Sequence, residues 1–178
     1  MKSTEILNSL QVSLTINRLC FQLIENHNDF SSSVLIGLQP NGIFLANRLK
    51  NSLQDSINNK VSVGSLDITF FRDDFRRRQA PIYPNQTNIN FLVESKNVVF
   101  IDDVLYTGRS IRAGMDAINS FGRPKQIELC VLIDRRFSRE LPIEPNYYGK
   151  KVDAIDTEKV VVEWDSEKDN GCVTIIKG

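Results

Sequence analysis

Four consecutive apolar residues, Val98-Val99-Phe100-Ile101, run directly into two adjacent carboxylates, Asp102-Asp103, and soon afterwards into Thr107-Gly108-Arg109-Ser110 at the head of a helix-patterned segment. An apolar run of this kind, bounded by polar residues, reads as a strand covered on both faces, which is the environment of a parallel sheet. Open α/β sheets bind ligands at the carboxyl ends of such strands, where this sequence puts its paired acids. The first amides of the following helix have no intrahelical acceptor and attract an anion. Acids and an anion-binding turn are therefore separated by only a few residues.

The rest of the chain fits the same plan. Over residues 10–25, Ile16, Leu19, Cys20, Leu23 and Ile24 recur at helical spacing, with Ser9 or Ser13 as the cap. Val34-Leu35-Ile36 is a second buried strand that stops at Gly37 and feeds the tight loop Leu38-Gln39-Pro40-Asn41-Gly42. Helical periodicity returns over 43–53, and 61–70 alternates as a strand. A second strand, loop, helix, strand unit covers 97–101, 102–109, 110–121 and 127–134, with Gly122-Arg123-Pro124 as its stop signal. Between the two units, residues 71–92 carry Arg72, Asp73, Asp74 and the run Arg76-Arg77-Arg78 without sustained periodicity, which reads as a long mobile loop or hairpin of the kind that is functional or disordered. The tail, Val160-Val161-Val162-Glu163-Trp164 and Cys172-Val173-Thr174-Ile175-Ile176, predicts a closing hairpin at the sheet edge. Residues 1–178 read as one α/β domain, with a mainly parallel central sheet flanked by helices, a flexible loop and a small C-terminal hood or hairpin.

Composition narrows the function. The 22 basic and 22 acidic residues cancel, so no overall field draws the chain to DNA, RNA or an anionic membrane, and any nucleic-acid contact must be a local patch. No apolar run approaches the roughly 20 residues of a spanning helix, and Met1-Lys2-Ser3-Thr4-Glu5 lacks a signal-peptide core, which predicts a cytoplasmic protein. The 3 cysteines are widely spaced without a CxxC pair, against a disulfide framework or a thiolate zinc site. His27, the 1 histidine, reads as a surface or capping residue, which disfavours a catalytic triad. Trp164 reads as core or interface.

Adjacent acids ahead of a phosphate-binding turn suit a sugar phosphate, because carboxylates accept from vicinal ring hydroxyls while amides hold the phosphate. This segment resembles the 5-phosphoribosyl 1-diphosphate (PRPP) motif of the type I phosphoribosyltransferases. The longer run Asp102-Asp103-Val104-Leu105-Tyr106-Thr107-Gly108-Arg109, with Gly122-Arg123-Pro124 and Arg139-Glu140-Leu141-Pro142-Ile143, resembles the PyrR branch of that family. Proteins of that branch are uracil phosphoribosyltransferases that also regulate pyrimidine operons by binding their mRNA.

The resemblance implies a type I phosphoribosyltransferase fold and transfer from PRPP to uracil, giving UMP and pyrophosphate, with Mg²⁺ as cofactor. It assigns PRPP binding to Asp102, Asp103, Val104, Leu105, Tyr106, Thr107, Gly108, Arg109 and Ser110. Asp102 and Asp103 would hold the ribose hydroxyls and, through water, the metal. Gln39, Pro40, Asn41 and Gly42 would grip pyrophosphate. Asp134, Arg135 and main chain near Val160 would border the base, and Arg72, in the lid region 72–78, would join Asp102 and Asp103 in catalysis. The implied partners are PRPP, uracil or UMP, pyrimidine-operon mRNA and further copies of the chain as a homodimer or higher oligomer, with no DNA and no membrane. Two positions depart from the branch. Asn41 stands where an Arg usually precedes the second Gly of the pyrophosphate loop, and Arg136-Phe137 replaces a Gly-His pair after Arg135. A nucleotide-sensing RNA regulator without strong catalysis, and a transferase for another base, are the competing readings. Purine-specific relatives place an Asp where this chain has Tyr106, which favours a pyrimidine.

Overall fold

The computed structural model describes residues 3–73, 84–165 and 170–177. In chain order the elements are β1 (Ser3–Leu7), α1 (Ser9–His27), β2 (Ser33–Leu38), α2 (Gly42–Gln54), β3 (Val63–Leu66), β4 (Asn97–Leu105), α3 (Arg109–Ile118), β5 (Gln126–Arg135), β6 (Tyr147–Val152), β7 (Glu158–Asp165) and β8 (Asn170–Lys177). Five strands form a sheet in the order β3-β2-β4-β5-β6, and every pairing in it is parallel. The predicted central sheet is therefore present, with β4 in the middle and the acids at its carboxyl end.

Strand alternation distributes the core between two layers. Leu35, Val99, Ile101, Cys130 and Leu132 face the layer built by α1 and α2, whereas Val34, Ile36, Val98, Phe100, Leu129 and Val131 face α3. Phe100 is fully buried, so truncation to alanine costs about 3–5 kcal/mol. Two glycines let α2 settle directly on the sheet. A Cβ on Gly37 would lie 2.6 Å from the Ile43 Cα, and one on Gly42 would lie 2.2 Å from the Ile101 carbonyl oxygen.

Several local expectations change. Helix α1 is capped by Asn8 rather than Ser9 or Ser13: the Asn8 side chain accepts from the Gln11 amide and the Gln11 side chain accepts from the Asn8 amide, each at 2.9 Å. This reciprocal box satisfies two orphan donors at once. The strand predicted over 61–70 shortens to β3 and ends in a single 3-10 turn at Thr69–Phe71, because Asp67 accepts from the Thr69 amide at 3.0 Å. The tail hairpin is not at the edge of the central sheet. β7 and β8 pair with β1 in a separate antiparallel sheet of order β1-β8-β7, with Ser3 opposite Ile176.

His27 is buried, not a surface or capping group. Its Nδ1 lies 2.9 Å from the Ser33 hydroxyl and its Nε2 lies 3.1 Å from Glu128, whose carboxylate also accepts from Tyr147 OH at 2.6 Å. This network joins α1 to the amino ends of β2, β5 and β6, remote from the acids. Cys20 and Cys130 are buried, and burial pushes the Cys20 thiol up to about 11. Trp164 is half-buried against the core, with the Arg48 guanidinium 5.7 Å from its ring centre. No helix among the described residues is long and apolar enough to cross a membrane.

Candidate active site

Strand β4 continues through the acids instead of ending before them. Asp102 pairs with Val131, Val104 with Ile133 and Leu105 with Asp134, so the loop begins only at Tyr106. Backbone pairing with β5 overrides the polar side chains here, which correspondingly sit on a rigid strand. The Asp103 amide donates to Asp102 Oδ1 at 3.0 Å, and the Val104 amide donates to Asp103 Oδ1 at 2.8 Å. Burial, and then the neighbouring charge of Asp103, push the Asp102 carboxyl well above the usual carboxylate range. Burial also raises Asp103, against hydrogen bonds from the Val104 amide and the Asn41 side chain. Asp103 is buried and Asp102 half-buried, so the pair can gain from a cation or from hydroxyl donors that reach it from solvent.

The turn after Tyr106 has the geometry of an anion nest. Gly108 takes φ +91°, a left-handed conformation that favours glycine, and Thr107 Oγ1 accepts from the Arg109 amide at 3.3 Å. Helix α3 starts at Arg109, which aims its first amides and macrodipole at this turn. The Arg109 guanidinium is engaged elsewhere: its Nε donates to Glu140 at 2.5 Å and its Nη1 pairs with Asp73. Arg109 thus brings its amide to the turn while its charge is balanced by two carboxylates. Arg72 supplies a cation in its place, with Nη1 donating to Ser110 Oγ at 2.8 Å and its charge within electrostatic reach of Asp102. Residues Arg76, Arg77 and Arg78 of the predicted lid lie outside the described residues.

The loop after β2 approaches from the other side. The Gln39 amide donates to the Leu66 carbonyl at 3.0 Å, the Gln39 side chain donates to the Gln86 carbonyl at 2.7 Å, and the Gln39–Pro40 bond is cis. Asn41 stands at the start of α2 but makes no side-chain cap, and its amide instead faces Asp103, whose carboxyl it helps to lower. The loop and the acid pair are thereby in direct contact.

Arg135 is the last residue of β5, not a residue beyond it, because its backbone pairs with Val152 of β6. Its guanidinium lies 4.0 Å from the Tyr106 ring centre, Nη2 donates to the Ile155 carbonyl at 3.1 Å, and the buried Nε has no partner among the described residues. Asp134 is buried and ion-paired with Arg139. The Val160 side chain belongs to the core under the antiparallel sheet, and β7 approaches β4. The structure thus brings together Asp102, Asp103, Asn41, Arg72, Ser110, Tyr106 and Arg135 around the carboxyl ends of β4 and β5. Asp73 and Glu140, which hold the Arg109 side chain, were not assigned from the sequence; an acidic residue in the motif after β5 is the only local signal for either.

The donor set suits a hard, hydrated divalent ion. Among the described residues no three His, Cys, Asp or Glu side chains cluster, so the protein alone forms no cage. Two adjacent carboxylates are what Mg²⁺ requires from a protein when water and substrate phosphates complete its octahedron.

A parallel sheet with paired acids on its central strand and a helix start just behind them defines an open α/β ligand-binding class, and the family model described as "Phosphoribosyl transferase domain" matches residues 2–167. The chain is 37% identical over 178 residues to a protein named "Bifunctional protein pyrR" from Enterococcus faecalis, spanning 100% of this chain and 99% of the relative. It is 38% identical over 172 residues to "Bifunctional protein PyrR" of Bacillus subtilis, covering 96% and 94%. Among solved structures, a hypoxanthine phosphoribosyltransferase from Staphylococcus aureus superposes with a TM-score of 0.66 at 19% identity, covering 85% of this chain and 80% of that one. That likeness concerns the fold. The chain belongs to the PyrR family of phosphoribosyl transferase domain proteins.

Proposed function

We propose that the protein transfers the phosphoribosyl group of PRPP to N1 of uracil, releasing pyrophosphate and forming UMP. The observation that carries this reading is the acid pair Asp102-Asp103 on the central strand, joined through Tyr106 to the left-handed Gly108 turn. One end of that segment suits vicinal hydroxyls and the other a terminal phosphate.

In this reading Asp102 and Asp103 accept from the ribose 2- and 3-hydroxyls, directly or through the water of a bound ion. The amides from Thr107 to Ser110, with the Thr107 and Ser110 hydroxyls, hold the 5-phosphate. Asp102 and Asp103 would hold Mg²⁺, through water, and the ion would supply positive charge for the leaving pyrophosphate. Gln39 to Gly42 orient that leaving group through main-chain amides, and Arg72, beside Ser110 and Asp102, adds a cation near the developing charge. The transition state has oxocarbenium character, so the chain acts by positioning and electrostatics, without a side-chain nucleophile. Tyr106, stacked under Arg135, walls the base site. The unpartnered Arg135 Nε offers a donor to a pyrimidine carbonyl, and Asp134 fixes Arg139 beside it.

Incubating the purified protein with PRPP, Mg²⁺ and, separately, uracil, hypoxanthine and guanine tests the reading. UMP formation from uracil is the expected result, and no product with any base overturns it. The whole chain acts as one domain in the cytoplasm. The exposed row Leu10, Leu14 and Phe21 on α1 supports a homodimer or larger assembly, which sedimentation measures.

Binding of pyrimidine-operon mRNA is a second activity, supported by the word "bifunctional" in the names of the relatives. Helix α1 is not its basic surface: Arg18, the one Arg or Lys on it, donates to the carbonyls of Tyr148 at 3.2 Å and Gly149 at 2.5 Å. Filter binding to leader RNA should weaken as salt rises, and absence of binding removes this second activity while leaving the first untouched.

A further inference from the structure

Of the motif Arg139-Glu140-Leu141-Pro142-Ile143 only Arg139 enters the reading above, yet three of its consecutive residues reach the phosphate turn from behind. Arg139 Nη1 donates to the Tyr106 carbonyl at 2.5 Å. The amides of Glu140 and Leu141 both donate to the Thr107 carbonyl, at 3.0 and 3.2 Å, and the Glu140 carboxylate accepts from Arg109 Nε at 2.5 Å. Leu141 and Ile143 close the remaining side: the position a Cβ would take on Gly108 lies 3.4 Å from Leu141 Cβ and 3.3 Å from Ile143 Cδ1.

These contacts go to the carbonyls and to the Arg109 side chain. They hold residues 106–109 while leaving the task of meeting an anion to the amides. The turn needs such support, since Gly108 has no Cβ to restrict it and a nest binds well only when its donors are already aligned.

We infer that Glu140 is a positioning residue for the phosphate turn: its carboxylate holds the Arg109 side chain and thereby fixes the Arg109 and Ser110 amides at the start of α3. The inference rests on the reading of that turn as the site of the 5-phosphate. Glu140 touches neither the phosphate nor the reacting carbon. Its side chain and that of Arg109 are 50% and 39% exposed, so the pair itself contributes little to global stability.

The test compares E140A and E140Q with the wild type, because glutamine keeps an acceptor for Arg109 Nε and loses only the charge. In E140A the KM for PRPP should rise about tenfold while the KM for uracil stays within about twofold and Tm within about 2 °C. E140Q should restore the PRPP KM to within about threefold of wild type. Amide hydrogen exchange without ligand supplies the independent readout: residues 107–110 should exchange faster in E140A, and residues of β4 and β5 should not.

Unchanged PRPP KM together with unchanged exchange at 107–110 overturns the inference. So does a parallel loss of both KM values with a falling Tm, which marks a general structural role. A wild type that makes no UMP would sink the proposed function, and the exchange comparison would still decide whether Glu140 braces the turn.

Discussion

Replacing Asn41 by arginine probes the leaving-group side of the site most directly. Asn41 lies between Pro40 and Gly42, and its amide faces Asp103. Gly42 seats the loop directly on β4, its missing Cβ position lying 2.2 Å from the Ile101 carbonyl oxygen and 3.1 Å from the Asp102 Cα. A guanidinium at this position therefore stays within reach both of the acid pair and of a pyrophosphate seated on the loop. The gross attraction between unit charges about 4 Å apart is roughly 4 kcal/mol at an effective dielectric constant near 20. Loss of hydration and of the amide contact to Asp103 brings the net gain to about 1.5–3 kcal/mol, the usual worth of a charge-assisted hydrogen bond.

That energy corresponds to roughly one to two decades in rate if it is expressed at the transition state. Asn41→Arg should accordingly raise kcat/KM for PRPP by about 10- to 100-fold and tighten inhibition by pyrophosphate. The new cation should also lower both raised carboxyl groups, so the acidic limb of the pH profile should move to lower pH. Steady-state kinetics at several pH values with a fixed uracil concentration reads all three effects. A folded variant with unchanged or lower kcat/KM and an unmoved acidic limb would refute the placement of Asn41 beside the leaving group.

Asp102→Asn should abolish transfer yet stabilise the fold at neutral pH by about 1–2 kcal/mol. Because burial and Asp103 raise the Asp102 carboxyl, its contribution to stability is complete at acidic pH and is lost as pH rises through the folded value. Melting curves should therefore diverge above about pH 5 and converge near pH 4, and a Tm below wild type at pH 7 contradicts the argument. Arg135→Ala should raise the KM for uracil about 10- to 100-fold, with a smaller change for PRPP, since the orphan Nε is placed for the base. Equal effects on both substrates would move Arg135 out of the base site. His27→Ala strips Ser33, Glu128 and Tyr147 of a shared buried partner and should cost about 2–4 kcal/mol in chemical denaturation while kcat is retained at 25 °C. A neutral change would mean that water replaces the imidazole.

What the sequence made legible is what is local. The run from Val98 to Ser110 carries strand, acids, left-handed glycine and helix start in one stretch, and the structure assembles them in that order. Pairings across long separations were not legible. β1 is a polar five-residue strand whose existence depends on β8 at the other end of the chain, and β6, Tyr147-Tyr148-Gly149-Lys150-Lys151-Val152, has no apolar run to announce it. His27 looks solvent-facing beside Asn26 and Asn28, and only the approach of Glu128 and Tyr147 makes it a core residue. The Arg109 side chain looks like a phosphate ligand until Asp73 and Glu140, 36 positions before it and 31 after it, are brought alongside. Position along the chain identifies a residue's chemistry, and the fold decides which partner uses it.

The absent side chains at residues 37 and 42 set a limit on how this site can diversify. With no room for even a methyl group between α2 and the sheet, the spacing from the loop after β2 to the acids of β4 is a property of the scaffold itself. Variation in what the leaving-group side accepts must come from the side chains at 39, 40 and 41, so selection for a different donor would act on three positions and leave the backbone beneath them as it is.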